Sequence, residues 1–282
     1  MNIKNFGVIG AGQMGSGIAQ VAAASGLNVI MHDITLEYAS RGKDNIGKNL
    51  LRQLEKGKLT AERMDDILAR ITPSTDLANM QGVDFVVEAA SEKEEIKFEL
   101  FKRLDEICPT HTILASNTSS IPIGRIGART GRPDKVIGMH FMNPVPVMQL
   151  VEIIKGLATS EETHQTTVEL AKKLGKIPAE AGDFPGFIAN RILLPMINEA
   201  IFCLYQGTGT REAIDTVMKL GMNHPMGPLT LADLIGLDTC LAILETLHYG
   251  LGDPKYRPCP LLRLYVESGW LGRKSGRGFY QY

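Results

Sequence analysis

The sequence has almost no net charge, and that shortage excludes two kinds of partner. Its 30 lysines and arginines nearly balance 31 acidic residues, which leaves a net charge of −1. A nucleic-acid-binding domain usually presents a basic face, and a polybasic membrane anchor needs a local excess of cations. We therefore expect neither a nucleic acid nor a membrane among the partners of this protein, while a local basic pocket stays compatible with this balance.

Cysteine is scarce, and no long apolar span is present. The four cysteines are widely spaced and form no Cys-x-x-Cys pair, which disfavours a disulfide framework or a zinc site and fits a reducing compartment. The longest stretch without a full charge, Asn5–Met31, contains six glycines and is expected to be a packed strand–turn–helix rather than a membrane span. No signal-peptide pattern is visible. We expect a cytoplasmic protein without a metal ion.

Strands and helices alternate over the first two-thirds of the chain, and only helices follow. Apolar runs predict strands at 6–9, 28–32, 84–89, 112–115, 136–141 and 147–154. Amphipathic stretches predict helices up to about residue 24 and at 35–58, 60–68, 94–107, 187–205, 211–220, 230–247 and 261–268. This order predicts an α/β Rossmann-type doubly wound sheet domain at 1–184, followed by an all-α C-terminal domain at 185–282, with the joint at 182–186.

A glycine-rich turn follows the first predicted strand and opens a helix: Gly10-Ala11-Gly12-Gln13-Met14-Gly15. In this G-x-G-x-x-G pattern the first glycine permits the turn, the second lets a pyrophosphate approach, and the third lets the helix pack closely. Free N–H groups of the helix would face the phosphates. The turn therefore predicts a dinucleotide site.

Asp33 ends the second predicted strand, 18 residues after Gly15. A carboxylate there can accept hydrogen bonds from both ribose hydroxyls of adenosine and would repel a 2′-phosphate. The following Ile34 and Thr35 provide no arginine for such a phosphate, so the pattern favours NAD over NADP. The alternative is a plain glycine turn with Asp33 as a helix cap.

Two strand ends in the second half of the α/β domain carry polar side chains. Ser116-Asn117-Thr118-Ser119-Ser120 follows one strand, where ligands bind in open α/β sheets; the alternative is a turn or a helix cap. His140 and Glu152 lie symmetrically about Pro146, so a chain reversal there would pair their strands antiparallel and place the two residues opposite each other. A carboxylate could then fix the imidazole tautomer for proton transfer, or the two could form a structural pair. Asn190, one turn into the first C-terminal helix, is a further polar candidate or part of a surface Asn–Arg pair.

Taken together, these motifs resemble the short-chain 3-hydroxyacyl-CoA dehydrogenase family, and within it the bacterial 3-hydroxybutyryl-CoA dehydrogenases. The resemblance covers essentially the whole chain. It rests on the segments Val8–Gly15, Ser116–Ser120, Gly138–Pro146, Pro185–Arg191, His224–Pro228 and Gly276–Tyr280. It implies a homodimer formed through the C-terminal domain, and a place in fatty-acid or butanoate metabolism.

The resemblance implies reversible, NAD-linked oxidation of (S)-3-hydroxyacyl-CoA to 3-oxoacyl-CoA. His140 would be the general base for the 3-hydroxyl, and Glu152 would orient it. Ser119 and Asn190 would hold the hydroxyl and thioester oxygens. The sequence leaves the acyl chain length and the metabolic direction open.

The resemblance also assigns contacts for the two nucleotides. Cofactor-side residues would be Glu92, Lys97, Ser119, Asn143 and Lys274, which without it read as surface charges or turn residues. CoA contacts would fall at Asn49 and, preferably, Lys56. They lie on a predicted helix that carries several cations (Lys43, Lys48, Arg52, Lys56 and Lys58) and whose alternative role is a solvated face.

Two other functions remain compatible with the residues. One is an NAD-dependent dehydrogenase of a free hydroxy acid or sugar acid on the same fold; the basic helix after Asp33 favours CoA over this. The other is a non-enzymatic binding or structural protein, which would have no evident need for Ser119, His140, Asn143, Glu152 and Asn190 together.

Overall fold

The computed structural model describes residues 3–282, which divide into two compact units between Phe184 and Pro185. The division lies within the 182–186 segment. The first unit is α/β and the second is helical, as expected for a Rossmann-type domain followed by an all-α one. None of the helices in the described part of the chain is long and apolar enough to span a membrane.

An eight-stranded sheet forms the centre of the first unit, in the order β3-β2-β1-β4-β5-β6-β7-β8. Its strands are β1 (Asn5–Ile9), β2 (Asn28–His32), β3 (Ile71–Ser74), β4 (Phe85–Glu88), β5 (Ile113–Ser116), β6 (Val136–Phe141), β7 (Leu150–Lys155) and β8 (Ile177–Gly182). Neighbouring strands are parallel except β6 and β7, which are antiparallel. The strand order reverses between β1 and β4, and ligands bind at the carboxyl ends of strands at such a switch point.

Helices connect the strands and cover the sheet. They are α1 (Gln13–Ala24), α2 (Leu36–Glu55), α3 (Ala61–Ala69), α4 (Glu94–Ile107), α5 (Ile123–Gly127) and α6 (Glu161–Lys173). Hydroxyl caps fix three of their starts, because Thr35, Thr60 and Ser160 each accept a hydrogen bond from a backbone N–H three residues on. The core beneath them includes Phe6 and Phe85, whose rings stack 5.8 Å apart on neighbouring strands.

The second unit contains α7 (Ala189–Tyr205), α8 (Arg211–Thr216), α9 (Pro228–Ile235), α10 (Leu237–Leu251) and α11 (Pro260–Glu267), with a π-helical turn at Val217–Gly221. The buried carboxylate of Asp233 fastens the chain end, since it accepts hydrogen bonds from the backbone N–H groups of Phe279 and Tyr280, both at 2.9 Å. The single helix predicted at 230–247 is wrong. The chain breaks at Gly236, whose φ of 104° cannot continue a helix.

The predicted fold class is confirmed, although two edge strands escaped prediction. β3 contains Pro73, and most of β8 is at least partly exposed, so neither has the continuous apolar run of a central strand. The predicted antiparallel pairing of β6 with β7 is also confirmed, with His140 directly opposite Glu152.

Candidate active site

The glycine turn lies at the switch point, and its three glycines meet different surroundings. A Cβ at Gly10, where φ is +95°, would lie 2.6 Å from the Ala89 carbonyl oxygen, and one at Gly15 would lie 1.8 Å from that of Gly10. A Cβ at Gly12 would meet nothing within 4 Å. The fold itself therefore requires Gly10 and Gly15, whereas Gly12 leaves open space in front of the helix.

The start of α1 is suited to a phosphate group. No side chain caps it, and its first turn carries no acidic residue. The N–H groups and the positive dipole end of the helix are therefore available to an anion beside Gly12. Of the residues between the glycines, Ala11 donates its N–H to Asp33, Gln13 reaches Asn143, and Met14 packs on the core. The turn fits a dinucleotide.

Asp33 is fixed beside this turn. Its Oδ2 accepts a hydrogen bond from the Ala11 N–H and its Oδ1 one from the Ile34 N–H, both at 2.7 Å. The cap of α2 is Thr35, which accepts from the Tyr38 N–H. The alternative interpretation of Asp33 as a helix cap is therefore wrong, and its carboxylate lies beside the glycine turn.

A cavity of about 520 Å³ opens between the glycine turn, Asp33, the 143–146 segment and one face of α2. The α2 side chains that line it share one face of the helix: Tyr38, Arg41, Asn45, Lys48, Asn49 and Arg52. Lys56, the preferred CoA contact in the sequence, is exposed at the end of α2 and is absent from this lining. Lys43 points elsewhere, since its Nζ donates to the Ile71 carbonyl at 2.7 Å.

Arg41 and Tyr38 are cavity residues that the sequence analysis missed. The guanidinium of Arg41 lies over the Tyr38 ring, 4.7 Å from its centroid. Helical spacing was the available signal, because residues 38, 41, 45, 48, 49 and 52 share one face of a 3.6-residue helix. The count of cations included Lys48 and Arg52, which line the cavity, but it did not separate them from Lys43, and the preference for Lys56 came from the family resemblance.

His140 lies between a carboxylate and a hydroxyl. Its Nδ1 is 2.8 Å from Glu152 Oε2 and its Nε2 is 3.0 Å from Ser119 Oγ. The side chains of His140 and Glu152 are 8% and 2% exposed. When Nδ1 carries the ring hydrogen and donates it in a hydrogen bond to Glu152, the lone pair of the imidazole is at Nε2, on the Ser119 side. This arrangement can take up a proton at Nε2.

The polar segment after β5 is held by Glu92. A single oxygen, Oε1, accepts hydrogen bonds from Thr118 Oγ1 (2.5 Å), the Ser119 N–H (2.9 Å), and the N–H and Oγ of Ser120 (3.1 and 2.9 Å). Partial burial opposes ionisation of Glu92, but the Lys97 ammonium and these hydrogen bonds outweigh it and hold the pKa of the carboxyl below its ordinary value. Glu92 therefore shapes the turn that carries Ser119.

Lys97 is buried, with 1% of its side chain exposed, although the residues alone indicated a surface charge. Its Nζ lies 2.6 Å from Glu88 Oε1, and Glu88 is itself fully buried at the end of β4. The sequence analysis did not select Glu88. The signal was a carboxylate at the end of an apolar strand, where burial is costly unless a partner is present.

The segment between β6 and β7 borders the cavity and is anchored at both ends. Asn143 Oδ1 accepts a hydrogen bond from Gln13 Nε2 at 3.0 Å. The buried Lys176 Nζ donates to the carbonyl oxygens of Val145 (2.5 Å) and Met148 (2.7 Å), and burial lowers the pKa of this lysine. Asn143 is thus fixed on the rim of the predicted cofactor site.

The remaining predicted site residues belong to the second unit. Asn190 is half-buried in the first turn of α7. Lys274 Nζ lies 2.6 Å from an Asp238 carboxylate oxygen. Among residues 3–282, no group of three or more His, Cys, Asp or Glu side chains could hold a metal ion.

Comparison with known families decides the identity of the fold. The family model described as "3-hydroxyacyl-CoA dehydrogenase, NAD binding domain" matches residues 5–184, and "3-hydroxyacyl-CoA dehydrogenase, C-terminal domain" matches 186–282. The chain belongs to the 3-hydroxyacyl-CoA dehydrogenase family. NAD is therefore the cofactor of this dehydrogenase, in agreement with the glycine turn and Asp33.

Individual relatives match this dehydrogenase along its whole length. A "Probable 3-hydroxybutyryl-CoA dehydrogenase" of Bacillus subtilis is 62% identical over 100% of the chain and 98% of its own. The "3-hydroxybutyryl-CoA dehydrogenase" of Bradyrhizobium diazoefficiens is 55% identical over 99% and 96%. The crystal structure of (S)-3-hydroxybutyryl-CoA dehydrogenase from Ralstonia eutropha superposes with a TM-score of 0.97, at 50% identity over 100% and 99% of the two chains.

Proposed function

We propose that this dehydrogenase catalyses the reversible, NAD-linked oxidation of (S)-3-hydroxybutyryl-CoA to acetoacetyl-CoA. The observation that carries the proposal is the arrangement of Glu152, His140 and Ser119 at the carboxyl edge of an NAD-binding sheet. The names of the relatives from Bacillus subtilis and Bradyrhizobium diazoefficiens supply the substrate class.

His140 is the proton carrier in the proposed reaction. Glu152 accepts a hydrogen bond from the Nδ1–H, so Nε2 takes the proton of the substrate 3-hydroxyl as the C3–H bond breaks. Bound NAD supplies the acceptor for the hydride that leaves carbon 3. In the reverse direction the imidazolium returns its proton to the 3-oxo oxygen. The buried carboxylate of Glu152 stabilises the imidazolium between these events.

Ser119 is the proposed donor to the substrate oxygen. Its hydroxyl is 3.0 Å from His140 Nε2, so a substrate oxygen that replaces this contact lies within reach of both groups. Negative charge grows on that oxygen as the proton leaves, and a fixed donor stabilises it. Asn190 is the proposed donor to the thioester oxygen.

The proposed nucleotide contacts follow the cavity and the family resemblance. The glycine turn and Asp33 hold the adenosine pyrophosphate half of NAD, and Asn143 borders the nicotinamide half. Glu92, Lys97 and Lys274 are further cofactor-side proposals. The cationic face of α2 supplies the charge for CoA phosphates, with Asn49 in the cavity and Lys56 at the end of the helix.

A second copy of the chain is the proposed partner of the helical unit. A cavity of about 490 Å³ is lined mostly by apolar side chains of α7 and the α8 segment, among them Met196, Ala200, Ile214 and Val217. An apolar groove of this kind is stabilised when another surface covers it. A two-fold dimer is the commonest soluble assembly. The proposed location of this dehydrogenase is the cytoplasm.

The proposal is tested by following NADH absorbance with acetoacetyl-CoA, free acetoacetate, and NADPH in place of NADH. We expect rapid turnover with the thioester and NADH, and little with the free acid. Turnover of free acetoacetate at a similar rate would contradict the CoA assignment. Absence of turnover with the thioester, while NADH still binds, would contradict the proposed reaction.

A further inference from the structure

The loop that joins β6 to β7, residues 142–149, carries Asn143 to the edge of the nucleotide cavity. We propose that Lys176 is a positioning residue for the cofactor: its ammonium holds this β6–β7 loop in the form that presents Asn143 to the nicotinamide half of NAD. The inference rests on the proposed role of Asn143. It extends that role to a buried residue that does not itself line the cavity.

The β6–β7 loop has little backbone structure of its own. The last residue pair between β6 and β7 is Phe141 opposite Val151, so the loop lies beyond the ladder that joins the two strands. Within the loop, the Pro144 carbonyl accepts hydrogen bonds from the N–H groups of Val147 and Met148, both at 3.0 Å. These two bonds close a turn at the tip but do not tie it to another element. The loop therefore needs contacts from outside to keep one position.

Lys176, the residue before β8, supplies such a contact. Its Nζ donates to the carbonyl oxygens of Val145 and Met148, at 2.5 and 2.7 Å. The residue is only 7% exposed, and its own backbone N–H donates to the Ala171 carbonyl at 2.9 Å. A hydrogen bond from a charged donor is about twice as strong as one between neutral groups. The ammonium therefore fastens two points of the loop to a fixed part of the unit.

The charge of Lys176 acts on the backbone of the loop. Among residues 3–282, no acidic side chain forms an ion pair with it, and burial alone lowers its pKa. A buried ammonium is costly unless polar groups surround it, and here the carbonyl groups of Val145 and Met148 do so. Loss of the ammonium would leave both carbonyl oxygens without this donor. Because buried carbonyl groups need a partner, the loop would then have to shift.

The same loop also contacts α1, whose first turn borders the cavity. A Cβ at Gly17 would lie 2.9 Å from Val145 Cβ, so the valine side chain lies against this helix. Asn143 Oδ1 accepts a hydrogen bond from Gln13 Nε2 at 3.0 Å. Val145 is thus held through its carbonyl by Lys176 and through its side chain by α1. Without Lys176 the loop can move away from α1, and Asn143 moves with it.

The proton carrier should be spared by such a movement. His140 and Glu152 lie opposite each other within the ladder of β6 and β7, which does not include the loop. A displaced loop would therefore weaken the cofactor without changing the pair that takes up the proton. The proposal predicts a loss of NADH affinity together with an unchanged pH dependence of kcat.

The test measures NADH binding to the full chain by fluorescence titration. Lys176→Met removes the donors and nearly keeps the length of the side chain; it is made alone and together with Asn143→Ala. Alone, each change should weaken NADH by about tenfold, which corresponds to about 1.4 kcal/mol. In the Asn143→Ala background, Lys176→Met should weaken NADH by no more than about twofold, within the usual error of additivity.

Two results of this cycle would overturn the proposal. Equal losses in both backgrounds would show that the effect of Lys176 does not pass through Asn143. Unchanged NADH affinity in Lys176→Met would show that the ammonium is not needed to place the loop. If thermal unfolding shows that Lys176→Met does not fold, Lys176→Gln takes its place and is judged by the same cycle.

Two further lysine variants serve as controls. Lys173→Met is the matched one, because Lys173 Nζ also donates to a backbone carbonyl, that of Ile3 before β1, at 3.0 Å. It should leave NADH affinity and kcat unchanged. Lys176→Arg keeps a charged donor and should recover most of the affinity that Lys176→Met loses.

A second measurement follows the loop itself. Hydrogen exchange at the N–H groups of Val147 and Met148 should be faster in Lys176→Met than in the wild type, and unchanged exchange would overturn the proposal. A shift in the pH dependence of kcat with acetoacetyl-CoA would also overturn it, because Lys176 would then act on His140. If the wild type does not reduce acetoacetyl-CoA, the proposed function fails, while NADH titration and exchange still decide the role of Lys176.

Discussion

The imidazole of His140 is held on both sides, by Glu152 at Nδ1 and by Ser119 at Nε2. Such contacts choose the tautomer and the direction of the basic nitrogen, which the residue type alone leaves open. The sequence could predict the pairing with Glu152, because two strands joined by a short reversal have only a few possible registers. It did not indicate that Ser119, which follows β5, lies next to His140.

Replacement of His140 with Ala should lower turnover by at least about a hundredfold, since general acid–base catalysis contributes 10²- to 10⁴-fold. NADH affinity should remain near that of the wild type, because the glycine turn and Asp33 are untouched. Steady-state rates and NADH fluorescence titration measure the two quantities. An active His140→Ala enzyme would contradict the assignment of the base. His111→Ala, at an exposed position, is the control.

Asp33→Ala should weaken NAD at least about tenfold more than NADP, because one or two hydrogen bonds to the ribose are lost while repulsion of a 2′-phosphate is relieved. Arg41 lines the same cavity and provides a cation that can face such a phosphate. The double variant Asp33→Ala/Arg41→Ala should therefore bind NADP more weakly than Asp33→Ala. Binding constants for both cofactors test this. Equal losses for NAD and NADP would show that Asp33 does not discriminate between them.

Glu92 should contribute to stability in a pH-dependent way. Its pKa in the folded state lies below the ordinary 4.5, so the ionised carboxyl stabilises the fold above pH 4.5, and this contribution is lost as the pH falls through the folded-state pKa. The measurement is the free energy of urea unfolding for the wild type and Glu92→Gln. The difference in unfolding free energy between the two proteins should be constant from pH 7 to about 5 and should decrease below pH 4.5. A difference that persists unchanged at pH 3.5 would contradict this.

At the scale of elements, two glycines of the same turn serve different purposes: Gly15 is needed for stability, and Gly12 is needed for NAD binding. Gly15→Ala should destabilise the protein by at least about 1–3 kcal/mol, because its Cβ would overlap the Gly10 carbonyl oxygen. Gly12→Ala meets open space and should change stability by no more than about 1 kcal/mol. It should still weaken NAD by at least about tenfold, because the new methyl occupies the approach of the pyrophosphate.

Thermal unfolding and NAD titration of the two glycine variants provide the comparison. Each variant serves as the control for the other, since both add one methyl group to the same turn. If Gly12→Ala bound NAD as tightly as the wild type, the pyrophosphate could not lie against Gly12. If Gly15→Ala were as stable as the wild type, the close approach of α1 to the turn would be unnecessary.

The central strands and helices could be predicted from the sequence, but the burial and the partners of the charged side chains could not. The strands β2 and β6 and the helix α4 occur at the predicted residues, because apolar periodicity follows burial directly. Lys97 lies on the well-predicted α4, yet its burial depends on Glu88, a residue of another element that the pattern of α4 cannot reveal. Along α2 the cations were visible, but only the helix geometry separates Arg41 and Lys48 from Lys43.

At the scale of the whole molecule, the nearly balanced charge of the sequence does not reveal that cations gather on one wall of a cavity. The net charge of −1 is spread over a chain that places Arg41, Lys48 and Arg52 on one cavity wall. The net charge argues against a large basic face. It does not show whether a small basic patch exists. The alternation of strands and helices, in contrast, was sufficient to predict both the α/β and the helical parts of the chain.

The proposed dimer predicts a particle of twice the 30.8 kDa of one chain in light scattering after size-exclusion chromatography. Val217 lines the apolar groove of the helical unit and is 57% exposed, so Val217→Asp should shift the population to monomer. Leu157→Asp, at a fully exposed position of the first unit, should leave the dimer intact. A monomeric wild type would contradict the assembly, and a dimeric Val217→Asp protein would exclude this groove as the interface.

The antiparallel pairing of β6 with β7 has a consequence for recombination between related chains. In an all-parallel sheet the partner of His140 at this edge would come from a distant segment, after a crossover helix. Here the hairpin brings Glu152 to it within 12 residues. The proton carrier, its orienting carboxylate and their alignment are thus encoded in one block, 136–155. Recombination between related chains at any point outside that block transmits the pair intact, while the cofactor turn and the substrate-facing segments remain free to be exchanged around it.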